Sequence, residues 1–182
     1  MAKAIGMIEF KTVSAGLTAA DQMSKAAEVE ILEAQVVCPG KYIALIAGEL
    51  SAVKAAVEVG INTRSDEYID SFVLGNPDES IFAAIYGSAV IEGVNALGVL
   101  ETYDASAIIV AADVAAKTAQ VTLMELRIAK GMCGKSYMLI TGEVAACEAA
   151  IEKAKASVKD SGMFLDSSVI ARPDDQIIKT II

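Results

Sequence analysis

Apolar and polar positions along this chain alternate between two periods, and the changes of period mark its elements. Residues 4–10, AIGMIEF, are almost wholly apolar and predict a buried strand. Next, Leu17, Ala20, Met23 and Ala27 recur at helical spacing. VEILEAQVV, residues 29–37, alternates loosely and reads as a second strand, and YIALIAG, residues 42–48, as a third and more deeply buried one. Between these two lies a tight turn that holds CPGK. Val53, Ala56, Val57 and Gly60 then share one face of a second helix. YIDSFVL, residues 68–74, is a fourth strand ended by Pro77, and ESIFAAIYG, residues 79–87, a short trailing helix.

The whole pattern is then written again. AIGMIE (4–9) returns as ALGVLE (96–101), and AADQMSKAAEV (19–29) as AADVAAKTAQV (111–121). GKYIALIAGEL (40–50) returns as GKSYMLITGEV (134–144), and DSFVLGNPDES (70–80) as DSSVIARPDDQ (166–176). The repeat distance is 92 residues at first, then 94, then 96, so two residues are added before the second GK and two more before the second DS. In the second copy Ile109, Ala112, Ala115 and Ala119 carry the first helical face. The order β-α-β-β-α-β is that of a split βαβ unit. The predicted class is therefore α/β, more narrowly α+β: two tandem ferredoxin-like units, residues 1–90 and 91–182, joined by a short linker near residues 87–95.

Composition narrows the function. Hydrophobic residues make up 54% of the 182 residues, yet no run approaches the length of a membrane span, so the apolar excess is expected between subunits rather than in lipid. MAKAIGMIEF has no long apolar stretch, and no secretory leader is expected. A net charge of −9 argues against nucleic acid, which calls for a basic footprint. The three cysteines suit a reducing compartment, as thiols. With no histidine there is no Ser-His-Asp set, the GK turns lack the P-loop pattern, and the carboxylate pairs Glu28/Glu30 and Asp174/Asp175 read as surface charge, so no enzyme is expected.

In this order and twice over, the A(I/L)G(M/V)(I/L)E opening, AAD…K…V, the GK turn followed by GE(L/V), and the late RPDD resemble the shell proteins of bacterial microcompartments, and within them the trimeric tandem-domain type. The resemblance spans almost the whole chain. It implies a structural protein of the microcompartment shell in the cytoplasm, assembled as a homotrimer that mimics a hexagonal tile and meets other shell proteins at its edges. It implies too that the turn between second and third strands lines a central pore, and that a cysteine in the first turn binds an iron–sulfur cluster. Cys38 stands in that place, followed by Pro39 and Gly40 as pore-lining residues. The second turn, KGMCGKSY, is longer by two residues; superposing the GK pairs sets Met132 opposite Cys38, Cys133 opposite Pro39 and Gly134 opposite Gly40. The likeness points to propanediol-utilisation shells, while related shells enclose ethanolamine, ethanol or glycyl-radical pathways.

The cysteines differ in what they can do. Cys147 takes the place of Val53, and Ala150, Ile151 and Ala154 continue its helical face, so it reads as a small buried hydrophobe. Cys38 enters a turn, where a thiol is exposed. By its spacing alone it reads as an incidental pore-lining thiol, and one cysteine per chain cannot supply the usual four thiolates of a cluster. A trimer removes that objection: Cys38 from each chain could hold one [4Fe–4S] cluster on the threefold axis, with zinc or mononuclear iron on the same thiolates as the rival metals. Cys133 is expected to be a bystander. The implied role is electron transfer across the shell or cluster delivery, with a redox enzyme inside the shell or in the cytosol as the exchange partner. The alternatives are a pore that passes or binds a metabolite without a cluster, and a monomeric ferredoxin-like redox protein.

Lys25 and Lys117 fall at matching places late in the first helix of each copy. The resemblance puts both at the tile edge, together with Arg172, for which the first copy has Asn76.

Overall fold

The structure is a computed structural model that describes residues 4–181. In the first copy the elements run β1 (Ala4–Phe10), α1 (Val13–Ala26), β2 (Val29–Val37), β3 (Lys41–Gly48), α2 (Leu50–Thr63) and β4 (Tyr68–Gly75), followed by the short α3 (Ser80–Ile85). The second copy repeats them as β5 (Ala96–Thr102), α4 (Ala105–Thr118), β6 (Val121–Arg127), β7 (Ser136–Gly142), α5 (Val144–Lys159), β8 (Phe164–Ile170) and α6 (Asp175–Ile181). Each copy forms a four-stranded antiparallel sheet, ordered β2-β3-β1-β4 in the first and β6-β7-β5-β8 in the second. A split βαβ unit has this order, because the returning third strand inserts between the first two.

In the first copy, the helices and sheet close on a core that includes Ile8, Phe10, Ala19, Met23, Ile46, Val53 and Val57. Glycine in the opening motif lets helix and sheet approach. A Cβ on Gly6 would come within 2.6 Å of Val53 of α2, and one on the matching Gly98 within 3.1 Å of Ile151 of α5. The α2 face is the expected one, Val53, Ala56, Val57 and Gly60. The α1 face is rotated from expectation: Ala15, Gly16, Ala19, Ala20 and Met23 are buried, while Leu17 is 54% exposed. Small side chains set that rotation, since Gly16 receives the buried Tyr42 ring. Helix starts are set locally, by Thr12 accepting from the Ala15 amide and Asp104 from the Ala107 amide.

Compactness divides the chain between Pro77 and Asp78. α3, which precedes the linker in sequence, packs on β6 and α4 and so belongs with the second unit. Its start is held there by the Asp113 carboxylate, which accepts from the Asp78 amide at 2.8 Å. The second sheet also carries a smaller apolar cluster, in which Leu97, Met124 and Leu139 are packed by Ile91, Val94, Val99, Tyr137 and Ile181. Gly98 and Ile140 point at Ile151 of α5, so alternation puts Leu97 and Leu139 on the opposite face. No helix among the described residues is long and apolar enough to cross a membrane.

Candidate functional site

Two turns join the middle strands, and both come from sequences that cannot continue a strand. In the first, β2 ends at the buried Val37, and Cys38, Pro39 and Gly40 lead into β3. The Gly40 amide donates to the Val37 carbonyl at 2.8 Å, the Cys38–Pro39 peptide is cis, and Gly40 has φ +105°, a conformation that favours glycine. Cys38 is half-buried, while Pro39 and Gly40 are exposed. Below the turn, Lys41 Nζ pairs with Glu9 Oε1 at 2.6 Å, which compensates a buried carboxylate. Tyr42 follows, and burial pushes its phenol above the ordinary range.

The second turn is longer and differently closed. Ala129, Gly131, Cys133 and Gly134 all have positive φ, and the Ala129 amide donates to Ser136 Oγ at 2.9 Å. The Lys135 amide donates to the Met132 carbonyl at 3.1 Å. Measured from this closing bond, Cys133 is the second residue of its turn, as Cys38 is of the first. Matching the GK pairs sets Met132 there instead; the two added residues move the closing bond one position along. Cys133 is exposed, Met132 half-buried and Gly134 buried. At the root of this turn Arg127 Nε donates to Glu125 Oε1 at 2.9 Å, and the guanidinium lies 5.7 Å from the Tyr137 ring centre. Desolvation first, then the bond to Glu125, raises the Tyr137 phenol. Neither the Lys41–Glu9 pair nor this group carries a sequence motif; the first joins β3 to its neighbour β1, and the second brings Glu125 and Arg127 of β6 to Tyr137 of β7.

Cys147 lies in α5 as expected of a core residue, fully buried beside Ala150, Ile151 and Ala154. Burial, and secondarily the charge of Glu143, pushes its thiol up, which disfavours the thiolate a metal needs. Among the described residues no three His, Cys, Asp or Glu groups of one chain gather as a metal site.

The two lysines are held by the same i,i+4 carboxylate but differ in setting. Lys25 Nζ meets Asp21 at 2.7 Å with both side chains in solvent. Lys117 Nζ meets Asp113 at 2.7 Å, and that carboxylate is nearly buried, 10% exposed, because it also fastens the Asp78 amide. Arg172 is exposed after β8, and Asn76, at its place in the first copy, has φ +54°.

Two antiparallel sheets of one split-βαβ order, each with its exposed strand–strand turn, define a tandem-domain protein. The BMC domain matches residues 4–77 and 96–173. Over the whole chain the sequence is 35% identical to the bacterial microcompartment shell protein PduT of Citrobacter freundii, covering 99% of that protein. The crystal structure of a microcompartment protein from Desulfitobacterium hafniense superposes with a TM-score of 0.95 at 40% identity, over 98% of this chain and 99% of that one. A fused permuted hexameric shell protein, MSM0275, shares the fold at a TM-score of 0.60 and 20% identity, over 87% of this chain and 82% of that one. The chain belongs to the BMC-domain family, the structural proteins of bacterial microcompartment shells. The resemblance read from the repeated motifs is thereby borne out.

Proposed function

We propose that the chain forms a homotrimeric, pseudohexagonal tile of a microcompartment shell, and that Cys38 from three chains holds one [4Fe–4S] cluster at the pore. The observation that carries this reading is the placement of a half-buried thiol on a turn between the edge strand β2 and the buried strand β3. A thiol so placed can be approached from outside the fold, whereas Cys147 is fully buried and its thiol is pushed up by that burial. One chain offers too few ligands, so the donor set fits a metal centre only when chains are brought together by symmetry. Bound there, a cluster would supply a one-electron redox centre in the shell wall, suited to electron transfer across the shell or to cluster delivery.

The residues of the chain have the supporting roles. The short turn limits how far Cys38 can move, and the Lys41–Glu9 pair fixes the start of β3 beneath it. Cys133 occupies the corresponding turn position in the second copy and is the alternative ligand. Lys25, Lys117 and Arg172 are proposed to meet neighbouring shell proteins. Light scattering should give about three times the chain mass, because a head-to-tail, heterologous interface closes into a ring of three and a persistent monomer would leave Cys38 without its partners. Cys38→Ser in anaerobically purified protein should lose the brown colour and remain trimeric, while Cys133→Ala should keep both. A colourless parent would favour a metabolite pore.

A further inference from the structure

The second unit contains a hollow of about 480 Å³ at the end of the sheet remote from the pore turn. Glu92 and Asn95 of the linker, Gln120 and Thr122 at the start of β6, and Thr141 and Glu143 at the end of β7 supply its polar lining. Glu143 Oε1 accepts from Asn95 Nδ2 at 2.7 Å, which ties the linker to the sheet across the hollow. Thr141 pairs with Thr122 in the β6–β7 register, and both lie on the sheet face away from α4 and α5. Thr141 is 5% exposed, and among the described residues its buried hydroxyl has no hydrogen-bond partner. Buried yet lining the hollow, it belongs to the floor, while Glu92, Gln120, Thr122 and Glu143 stand exposed at the rim.

A buried hydroxyl left unsatisfied destabilises the fold, and a group entering the hollow can satisfy it. Charge selects the group. Among the described residues the only ionisable side chains in the lining are the two carboxylates, with no lysine or arginine, so an anion is disfavoured. Size and polarity select further: Val90, Ile91 and Val121 add apolar surface, and the volume far exceeds what a bare ion needs. The first copy offers a built-in contrast. Its hollow is about 290 Å³ and is lined by Glu28, Val29, Glu30, Ala47 and Gly48, with Ala47 where the second copy has Thr141.

We propose that the hollow beneath the linker is a binding site for a small organic cation, a primary ammonium compound, in the second copy and not the first. The carboxylates of Glu92 and Glu143 would face the ammonium group, the threonine hydroxyls would accept from it, and the valine and isoleucine side chains would cover its carbon chain. The site uses no thiol, so it stands or falls apart from the cluster reading.

Three probes of one shape test it by calorimetry at fixed ionic strength: propylammonium, propan-1-ol and propionate. Propylammonium should bind saturably and more tightly than propanol, and propionate should not bind. Thr141→Val keeps the shape and removes the hydroxyl. It should weaken propylammonium binding by about ten- to a hundredfold, the range for loss of one hydrogen bond to a charged group, without lowering the unfolding midpoint of the unliganded protein. Glu92→Gln should weaken the cation and leave propanol unchanged. No saturable heat with propylammonium, equal binding of propionate, preference for calcium alone, unchanged affinity in Thr141→Val, or a lowered midpoint in that variant would each overturn the proposal.

Discussion

Gly16 and Tyr42 form a size-matched pair, and exchanging either alone should expose the coupling. A Cβ at Gly16 would lie 2.6 Å or less from the Cβ, Cγ and Cδ1 atoms of Tyr42. Tyr42 is 4% exposed, so its ring has little room to withdraw. Overpacking of this kind costs about 1–3 kcal/mol, against a helix-propensity gain of about 1 kcal/mol for alanine over glycine. Gly16→Ala should therefore lower stability by up to about 2 kcal/mol, or roughly 4–8 °C in the unfolding midpoint for a chain of this length. The second copy places Ile108 and Ser136 at the corresponding positions, with the large residue on the helix and the small one on the strand, both fully buried. Tyr42→Ser alone should be costly, because a buried ring is lost. In Gly16→Ala/Tyr42→Ser the two penalties should fall short of their sum by about 1–2 kcal/mol, the coupling of residues in contact. Thermal unfolding at one protein concentration measures all four corners of the cycle. Strict additivity, or a Gly16→Ala variant more stable than the parent, would refute the close-approach argument.

The two edge lysines should separate. Lys25→Ala should change stability by less than about 0.5 kcal/mol, since its pair is wholly in solvent. Lys117→Ala should cost about 1 kcal/mol, held to that by the lysine's own exposure, because it strips a nearly buried carboxylate of its counter-charge. Both should impair sheet formation by electron microscopy, and normal sheets from the double variant would remove these residues from the edge. Cys147 gives a pH signature: its folded thiol titrates higher than an unfolded one, so its contribution is full below the ordinary thiol pKa of about 8.5 and declines as pH rises through and above it. Cys147→Ala should cost stability as a core truncation and flatten that alkaline decline, which urea titrations between neutral and alkaline pH would read.

Much of the fold is legible in the sequence because the repeat states it twice. Gly6 and Gly98 recur where a Cβ would strike the second helix of each copy, and Val53 and Cys147 recur as fully buried residues of that helix. The misread elements are those whose surroundings come from elsewhere in the chain. Leu17 has the right spacing for a core face, but the helix turns toward the Tyr42 ring, which lies 25 residues further on. Asp113 looks like the solvated partner of Lys117, as Asp21 is of Lys25; only the packing of α3 on α4 makes it a buried tether. The turn cysteines were visible as residues, but their correspondence depends on which amide closes each turn, and two extra residues shift that bond without leaving a motif.

The central claim is a metal centre shared by three chains, and the direct measurement is iron and acid-labile sulfide per chain in anaerobically purified trimer. About four irons and four sulfides per three chains are expected of a single cubane cluster. Cys38→Ser should reduce both to background while light scattering still reports a trimer. A parent trimer with iron far below one atom per three chains, or a Cys38→Ser trimer that retains its full iron and sulfide, would contradict the account.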